Sequence, residues 1–117
     1  MKVKRIVANI ETEKFEAVKV FYGDLLGLEV LMDMGWILTM GTNDHGPMQM
    51  TFASEGGSNT PVPKFSIEVD DLDAALTRFL DAGIEPEYGP VDEPWGIRRF
   101  FVRDPLNQLV NISVHLD

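Results

Sequence analysis

The sequence predicts an α+β protein: tandem βαβββ modules forming a curved mixed sheet, with helices on the outer face and an open groove on the other. Three observations carry this reading. Strand-like and helix-like periodicities return in the same order in both halves of the 117 residues. Four of the strand-like segments keep their apolar residues on a single parity. A breaker stretch, SEGGSNTPVP at 54–63, separates the halves. The expected organisation is one domain over 1–117, built from a first module at 1–57 and a second at 58–117. Half a chain of this length is marginal alone, so the modules are expected to share a core.

The elements follow in order. Val3 to Ile10 alternates Ile6, Ala8 and Ile10 with Arg5, Val7 and Asn9, which is a strand with one buried face. Phe15, Val18, Tyr22 and Leu25 then fall at helical spacing behind Thr12 as N-cap, and Gly27 ends the helix. Three strands are expected near 28–32, 36–40 and 48–53, with turn residues at 33–35 and 41–47. After the breaker, Phe65, Ile67 and Val69 alternate with Lys64, Ser66 and Glu68. A second helix runs from a cap at Asp70 or Asp71 through Leu72, Ala75, Phe79 and Leu80 to Gly83. Strands are expected near 84–88, 97–102 and 109–114. The acidic run Asp70-Asp71-Leu72-Asp73 reads as a helix N-terminus, where carboxylates meet the positive end of the dipole.

The apolar parities Ile6/Ala8/Ile10, Met48/Met50/Phe52, Phe65/Ile67/Val69 and Val110/Ile112/Val114 are expected under the helices, with Phe100 and Val102 beside them. The opposite parity is largely polar: Arg5/Asn9, Gln49/Thr51, Lys64/Ser66/Glu68, Arg99/Phe101/Arg103 and Asn111/Ser113/His115. Such a face is either solvated or part of a binding groove. Phe101 and Trp36 among its polar groups favour the groove.

Composition sets the outer bounds. The chain is 44% hydrophobic and 25% charged, as globular domains are. Ten Lys and Arg against 19 Asp and Glu give a formal charge of −9, which disfavours nucleic acid and anionic membrane surfaces as partners. No cysteine is present, so disulfides, thiolate metal sites and cysteine nucleophiles are excluded. The opening MKVKRIVANI is too short and polar for a signal peptide, and a cytoplasmic location is expected.

The doubled strand–helix–three-strand unit, Phe21-Tyr22 followed by Leu26-Gly27, and the late Asp104-Pro105 turn make the chain resemble the vicinal oxygen chelate superfamily. That group includes glyoxalase I, extradiol dioxygenases, fosfomycin-modifying enzymes and bleomycin-resistance proteins. The stretch from Trp95-Gly96 to Asp104-Pro105 is similar to its counterpart in bleomycin-resistance proteins. Asn107 stands where a glycine is usual, and asparagine tolerates positive φ. Metalloenzymes of the superfamily hold a divalent ion with four side chains, usually His, Glu or Gln. The resemblance places those positions at Arg5, Gln49, Lys64 and Asn111. Arg and protonated Lys have no lone pair to offer, and Gln and Asn are weak neutral ligands. No metal and no other cofactor is therefore expected.

Of the two histidines, His45 reads as a solvated turn residue and His115 as a frayed or interface position. Glu68 or His115 as a general base lacks an oriented partner in the sequence. Five of six methionines lie between Met32 and Met50, reading as core filler or as an adaptable apolar wall. Trp95, between Pro94 and Gly96, is a loop residue that folds on the core, meets a partner or stacks on a ligand.

The resulting expectation is a metal-independent small-molecule-binding protein of the glyoxalase/bleomycin-resistance type. It would sequester an aromatic or cationic antibiotic-like ligand at a groove of a homodimer; whether it also catalyses a reaction is left open, a glyoxalase- or dioxygenase-like activity being the one expected if it does. The ligand-binding residues would be Trp36, Gln49, Glu68, Trp95, Arg99, Phe101 and Asn111, with Glu68 pairing a cation. No catalytic residue is assigned. The alternatives are a metal-dependent lyase or dioxygenase of the same superfamily, a metal-free enzyme, and an interaction module whose Met/Trp patch is a protein interface.

Overall fold

A computed structural model describes residues 1–42 and 49–117 of the chain. The expectations placed on His45 and Met48 lie outside the described residues. Eight strands are present: β1 (Val3–Glu11), β2 (Glu29–Asp33), β3 (Ile37–Gly41), β4 (Gln49–Ala53), β5 (Phe65–Val69), β6 (Tyr88–Glu93), β7 (Ile97–Arg103) and β8 (Leu109–His115). They hydrogen-bond in the order β2-β3-β4-β1-β5-β8-β7-β6, an open mixed sheet with β2 and β6 as edges. Two compact units divide the chain, Val7–Val62 on the one hand and Met1–Ile6 with Pro63–Asp117 on the other, so β1 contributes residues to both.

In the unit Val7–Val62, β1 pairs parallel with β4 (Ile10 opposite Phe52), β4 antiparallel with β3 (Phe52 opposite Leu38), and β3 antiparallel with β2. The helix differs from the sequence expectation. An α-helical turn, α1 (Phe15–Val18), widens into a π-helical stretch over Lys19–Leu25. Lys14, not Thr12, is the N-cap, and the Thr12 hydroxyl accepts the Lys14 N–H at 3.0 Å. Gly27 closes the element at φ +83°: its N–H reaches the Gly23 carbonyl and Leu28 N–H reaches that of Tyr22.

Tyr22 from this helix stacks on Phe52, 5.2 Å between centroids, and Leu38, Met40 and Phe52 are buried. The parity assigned to β1 does not hold as expected. Ile6 and Ile10 stay 60% and 40% exposed, whereas Val7 and Asn9 on the opposite parity are buried. Period-two alternation identifies which side chains share a face; it does not say which face acquires cover. The methionines do not form one wall: Met40 is core, whereas Met32 and Met34 are exposed.

The other unit repeats the plan. β5 pairs parallel with β8, β8 antiparallel with β7, and β7 antiparallel with β6. The helix α2 (Leu72–Asp81) is capped by Asp71, whose carboxylate accepts the Ala74 N–H at 3.0 Å. Here the parity holds. Leu72 and Ala75 of α2 pack with Val69, Phe100, Val102, Val110 and Ile112, and Leu76 and Phe79 close the edges. One strand is displaced: β6 begins at Tyr88, not at Ile84. Ile84 N–H instead donates to the Phe79 carbonyl at the end of α2, and its side chain joins the core beneath the helix. The Asp104-Pro105 turn is held by Asp104 Oδ1, which accepts the N–H groups of Leu106 (2.9 Å) and Gln108 (2.8 Å). Asn107 takes φ +63° there, as its place in the turn requires. No helix among the described residues is long and apolar enough to cross a membrane.

Candidate functional site

In the unit that carries α2, side chains alternate between the helix-covered face and the opposite one. The opposite face collects Ser66 and Glu68 from β5, Asn111, Ser113 and His115 from β8, and Arg99 and Phe101 from β7. Register places Ser66 and Phe101 on either side of Asn111, and Glu68 and Arg99 on either side of Ser113. Glu68, Arg99, Phe101, Asn111 and Ser113 are all buried. A face of this polarity withdrawn from water must satisfy its charges internally.

It does so in two clusters. The first centres on Arg99. Its Nε donates to Glu93 Oε2 at 2.7 Å, and both side chains are almost wholly buried, 4% and 3% exposed. Tyr88 Oη donates to the same carboxylate at 3.1 Å. The guanidinium carbon sits 4.7 Å from the Phe101 ring centroid, 5.0 Å from Trp95 and 5.5 Å from Tyr88. The β6–β7 turn at Pro94-Trp95-Gly96 aims Trp95 at the guanidinium, with Gly96 at φ +91°. Trp95, Arg99 and Phe101 were expected to gather round a ligand; the structure gathers them round Arg99 itself. Glu93 and Tyr88 complete this cluster and were missed. The available signal was that Glu93 and Arg99 flank a tight Pro-Trp-Gly turn, and opposite charges flanking such a hairpin meet.

The second cluster centres on Glu68. Oε2 lies 3.2 Å from Arg5 Nε and 2.8 Å from His115 Nδ1, and Oε1 lies 3.5 Å from Lys4 Nζ. Glu68, expected to pair with a ligand cation, is held by three basic side chains of the chain itself. A cationic ligand would have to displace them. The same geometry supplies His115 with the oriented carboxylate that the sequence could not reveal.

Asn111 lies two residues before Ser113 on β8, between Ser66 and Phe101. Its Nδ2 donates to Ser66 Oγ at 3.0 Å, and its Oδ1 is buried with no hydrogen-bond partner. Lys64 is exposed just before β5, where its backbone N–H donates to the Leu109 carbonyl at 2.8 Å. Trp36 and Gln49 belong to the other unit. Trp36 is half-buried just before β3, its carbonyl accepting Ser54 N–H at 3.0 Å, and Gln49 is half-buried opposite Gly41.

The superfamily resemblance implies a divalent ion at Arg5, Gln49, Lys64 and Asn111. The side chains there do not fit one. Arg5 is a cation bound to Glu68, Lys64 brings a second positive charge, and the amides of Gln49 and Asn111 are weak neutral donors of lone pairs. Among the described residues no group of three or more His, Asp and Glu side chains is placed to hold a metal.

Solved structures share this fold. The chain superposes on a single-residue variant of methylmalonyl-CoA epimerase from Streptomyces coelicolor, in complex with 2-nitronate-propionyl-CoA, with a TM-score of 0.72 at 18% identity, covering 99% of this chain and 100% of that one. It superposes on a glyoxalase/bleomycin resistance protein/dioxygenase superfamily member from Vibrio splendidus with a TM-score of 0.66 at 16% identity, covering 97% and 99%. For methylmalonyl-CoA epimerase from Mycobacterium tuberculosis the TM-score is 0.65 at 13% identity, covering 98% and 88%. No curated protein matches the chain significantly. At these identities the structures establish the fold. The family model of the Glyoxalase/Bleomycin resistance protein/Dioxygenase superfamily matches residues 6–112, and the chain belongs to that superfamily.

Proposed function

We propose that this chain is a metal-independent small-molecule-binding member of its superfamily, acting through the sheet face that carries Asn111, Arg99 and Phe101. The observation that carries the reading is the state of Arg5. At a position where relatives would supply a metal ligand, a guanidinium is tied to Glu68 at 3.2 Å, with Lys4 and His115 on the same carboxylate. Bringing a dication to this corner sets it against fixed positive charge and offers it no anionic ligand that is not already shared. Polar side chains on the same face, Ser66, Asn111 and Ser113, supply the other half: groups suited to hydrogen-bonding a small molecule.

The test is metal content of the protein as purified, joined to melting temperature with EDTA and with added Mg²⁺, Mn²⁺, Fe²⁺, Ni²⁺ or Zn²⁺. Substoichiometric metal and an unmoved melting temperature are expected. Stoichiometric metal with a clear upward shift overturns the reading in favour of a metal-dependent lyase or dioxygenase. Binding itself is followed by quenching of Trp95 and Trp36 fluorescence against aromatic cations, glycopeptide antibiotics such as bleomycin, and aromatic carboxylates. Failure of every compound to quench counts against a binding role.

A further inference from the structure

Resting on that reading, we propose that the side-chain carbonyl of Asn111 receives a hydrogen-bond donor, an O–H or N–H group, from the bound molecule. Asn111 is 5% exposed, and its orientation is fixed. It projects from β8 between Ser66 and Phe101, and its Nδ2 spends a hydrogen bond on Ser66 Oγ at 3.0 Å. That leaves Oδ1 as the end without a partner, inside the protein and away from water. An amide oxygen so placed loses its hydration and receives nothing in return, whereas a leucine of similar size would lose nothing there. The deficit is recovered when an O–H or N–H group reaches the oxygen.

Phe101 lies opposite Asn111 in the ladder, with its ring 5.1 Å from that of Tyr88.

Two matched pairs of probes test this: 3-hydroxybenzoate against 3-methoxybenzoate, and benzamide against N,N-dimethylbenzamide, titrated by ligand-observed NMR. Within each pair methylation removes the donor. The donor-bearing member is expected to bind the native protein about fivefold or more tighter. In Asn111→Leu that ratio is expected to fall to about one while the melting temperature holds or rises. Ser66→Ala, which frees the amide without removing it, guards against a folding defect in the leucine variant and should retain a preference for donors. Equal affinities within both pairs, a preference for the methylated members, an unchanged ratio in Asn111→Leu, or no binding of any probe at about 10 mM each overturns the proposal. So does a crystal structure in which an ordered water satisfies Oδ1 and stays in place at saturating 3-hydroxybenzoate. A metal-loaded protein defeats the metal-independent reading whatever the ratio, whereas a metal-free protein with equal affinities defeats only the role given to Asn111.

Discussion

Removing either half of the Arg99–Glu93 pair should destabilise the protein far more than removing both. The two side chains are 4% and 3% exposed, joined at 2.7 Å, and walled by Tyr88, Trp95 and Phe101. A buried ion pair repays its desolvation only while both charges are present. Deleting one partner strands the other, at a cost of about 3–5 kcal/mol, whereas apolar replacement of both is often nearly neutral. For 117 residues the unfolding entropy is roughly 0.25 kcal/mol per degree, so Arg99→Met or Glu93→Leu alone should lower the melting temperature by about 12–20 °C. The double variant Glu93→Leu/Arg99→Met should recover most of that, so the coupling energy in the cycle approaches the sum of the two single losses, about 5 kcal/mol or more. Thermal and urea unfolding followed by far-ultraviolet circular dichroism read all four corners. Singles that cost under about 1 kcal/mol, or a double variant as unstable as their sum, would refute the claim that this pair is desolvated and mutually dependent. The exposed Arg98–Asp92 pair on the same hairpin is the internal control: its side chains are 42% and 57% exposed, and Asp92→Asn should change little and less still at high salt.

Asp71→Ala removes the acceptor for the Ala74 N–H and should cost about 1 kcal/mol in urea unfolding, with Asp71→Ser recovering most of it. Gly56→Ala would set a Cβ 2.1 Å from the Pro61 carbonyl oxygen, backbone that cannot swing aside, and about 1–3 kcal/mol or more should be lost; a neutral result would mean that the 54–63 loop is not held as described. The Lys2 N–H holds the Asp70 carboxyl below its ordinary value, as Arg98 does for Asp92 and the Gly35 N–H, then Lys19, for Asp33. Their folded-state values are depressed, so their contribution is complete above the ordinary value of 3.8 and is lost as pH falls through it and below. The urea midpoint should therefore decline on acidification, and Asp70→Asn should flatten that decline. A homodimer, expected from the sequence, should cover part of the apolar surface left by Phe21, Leu25 and Leu26, of which Leu25 is 71% exposed. Light scattering should then give twice 13.1 kDa for the native protein and the monomer mass for Leu25→Glu, and a native monomer would refute it.

What the sequence made legible was local or periodic. The repeat survives as identical pairing in both units, parallel between first and last strand and antiparallel thereafter. The Asp71 cap, Gly27 with positive φ and the Asn107 turn depend on a few neighbouring residues and could be read from them. Core residues Val69, Phe100, Val102, Val110 and Ile112 were legible because α2 does cover the parity they share. Where reading failed, the decision was made elsewhere in the chain. Ile84-Glu-Pro-Glu-Tyr88 alternates like a strand, yet Ile84 is needed to close the end of α2, and the edge strand accepts Gly89-Pro90 through a bulge between Tyr88 and Val91. Exposure of Ile6 and Ile10 is likewise a fact about what covers β1, which no pattern within β1 contains.

The charged site exposes the same limit in its sharpest form. Strand parity correctly assembled Glu68, Arg99 and Asn111 on one face, because alternation is a property of each strand. It could not say that Glu68 would be held by Arg5, 63 residues away, or that the cation under Trp95 and Phe101 would be Arg99. An unengaged carboxylate beside aromatic faces selects a cation, whereas a carboxylate already shared among Lys4, Arg5 and His115 makes an incoming cation compete with them. Net charge of the chain governs what it meets at a distance, and only the pairing at the site governs what it retains.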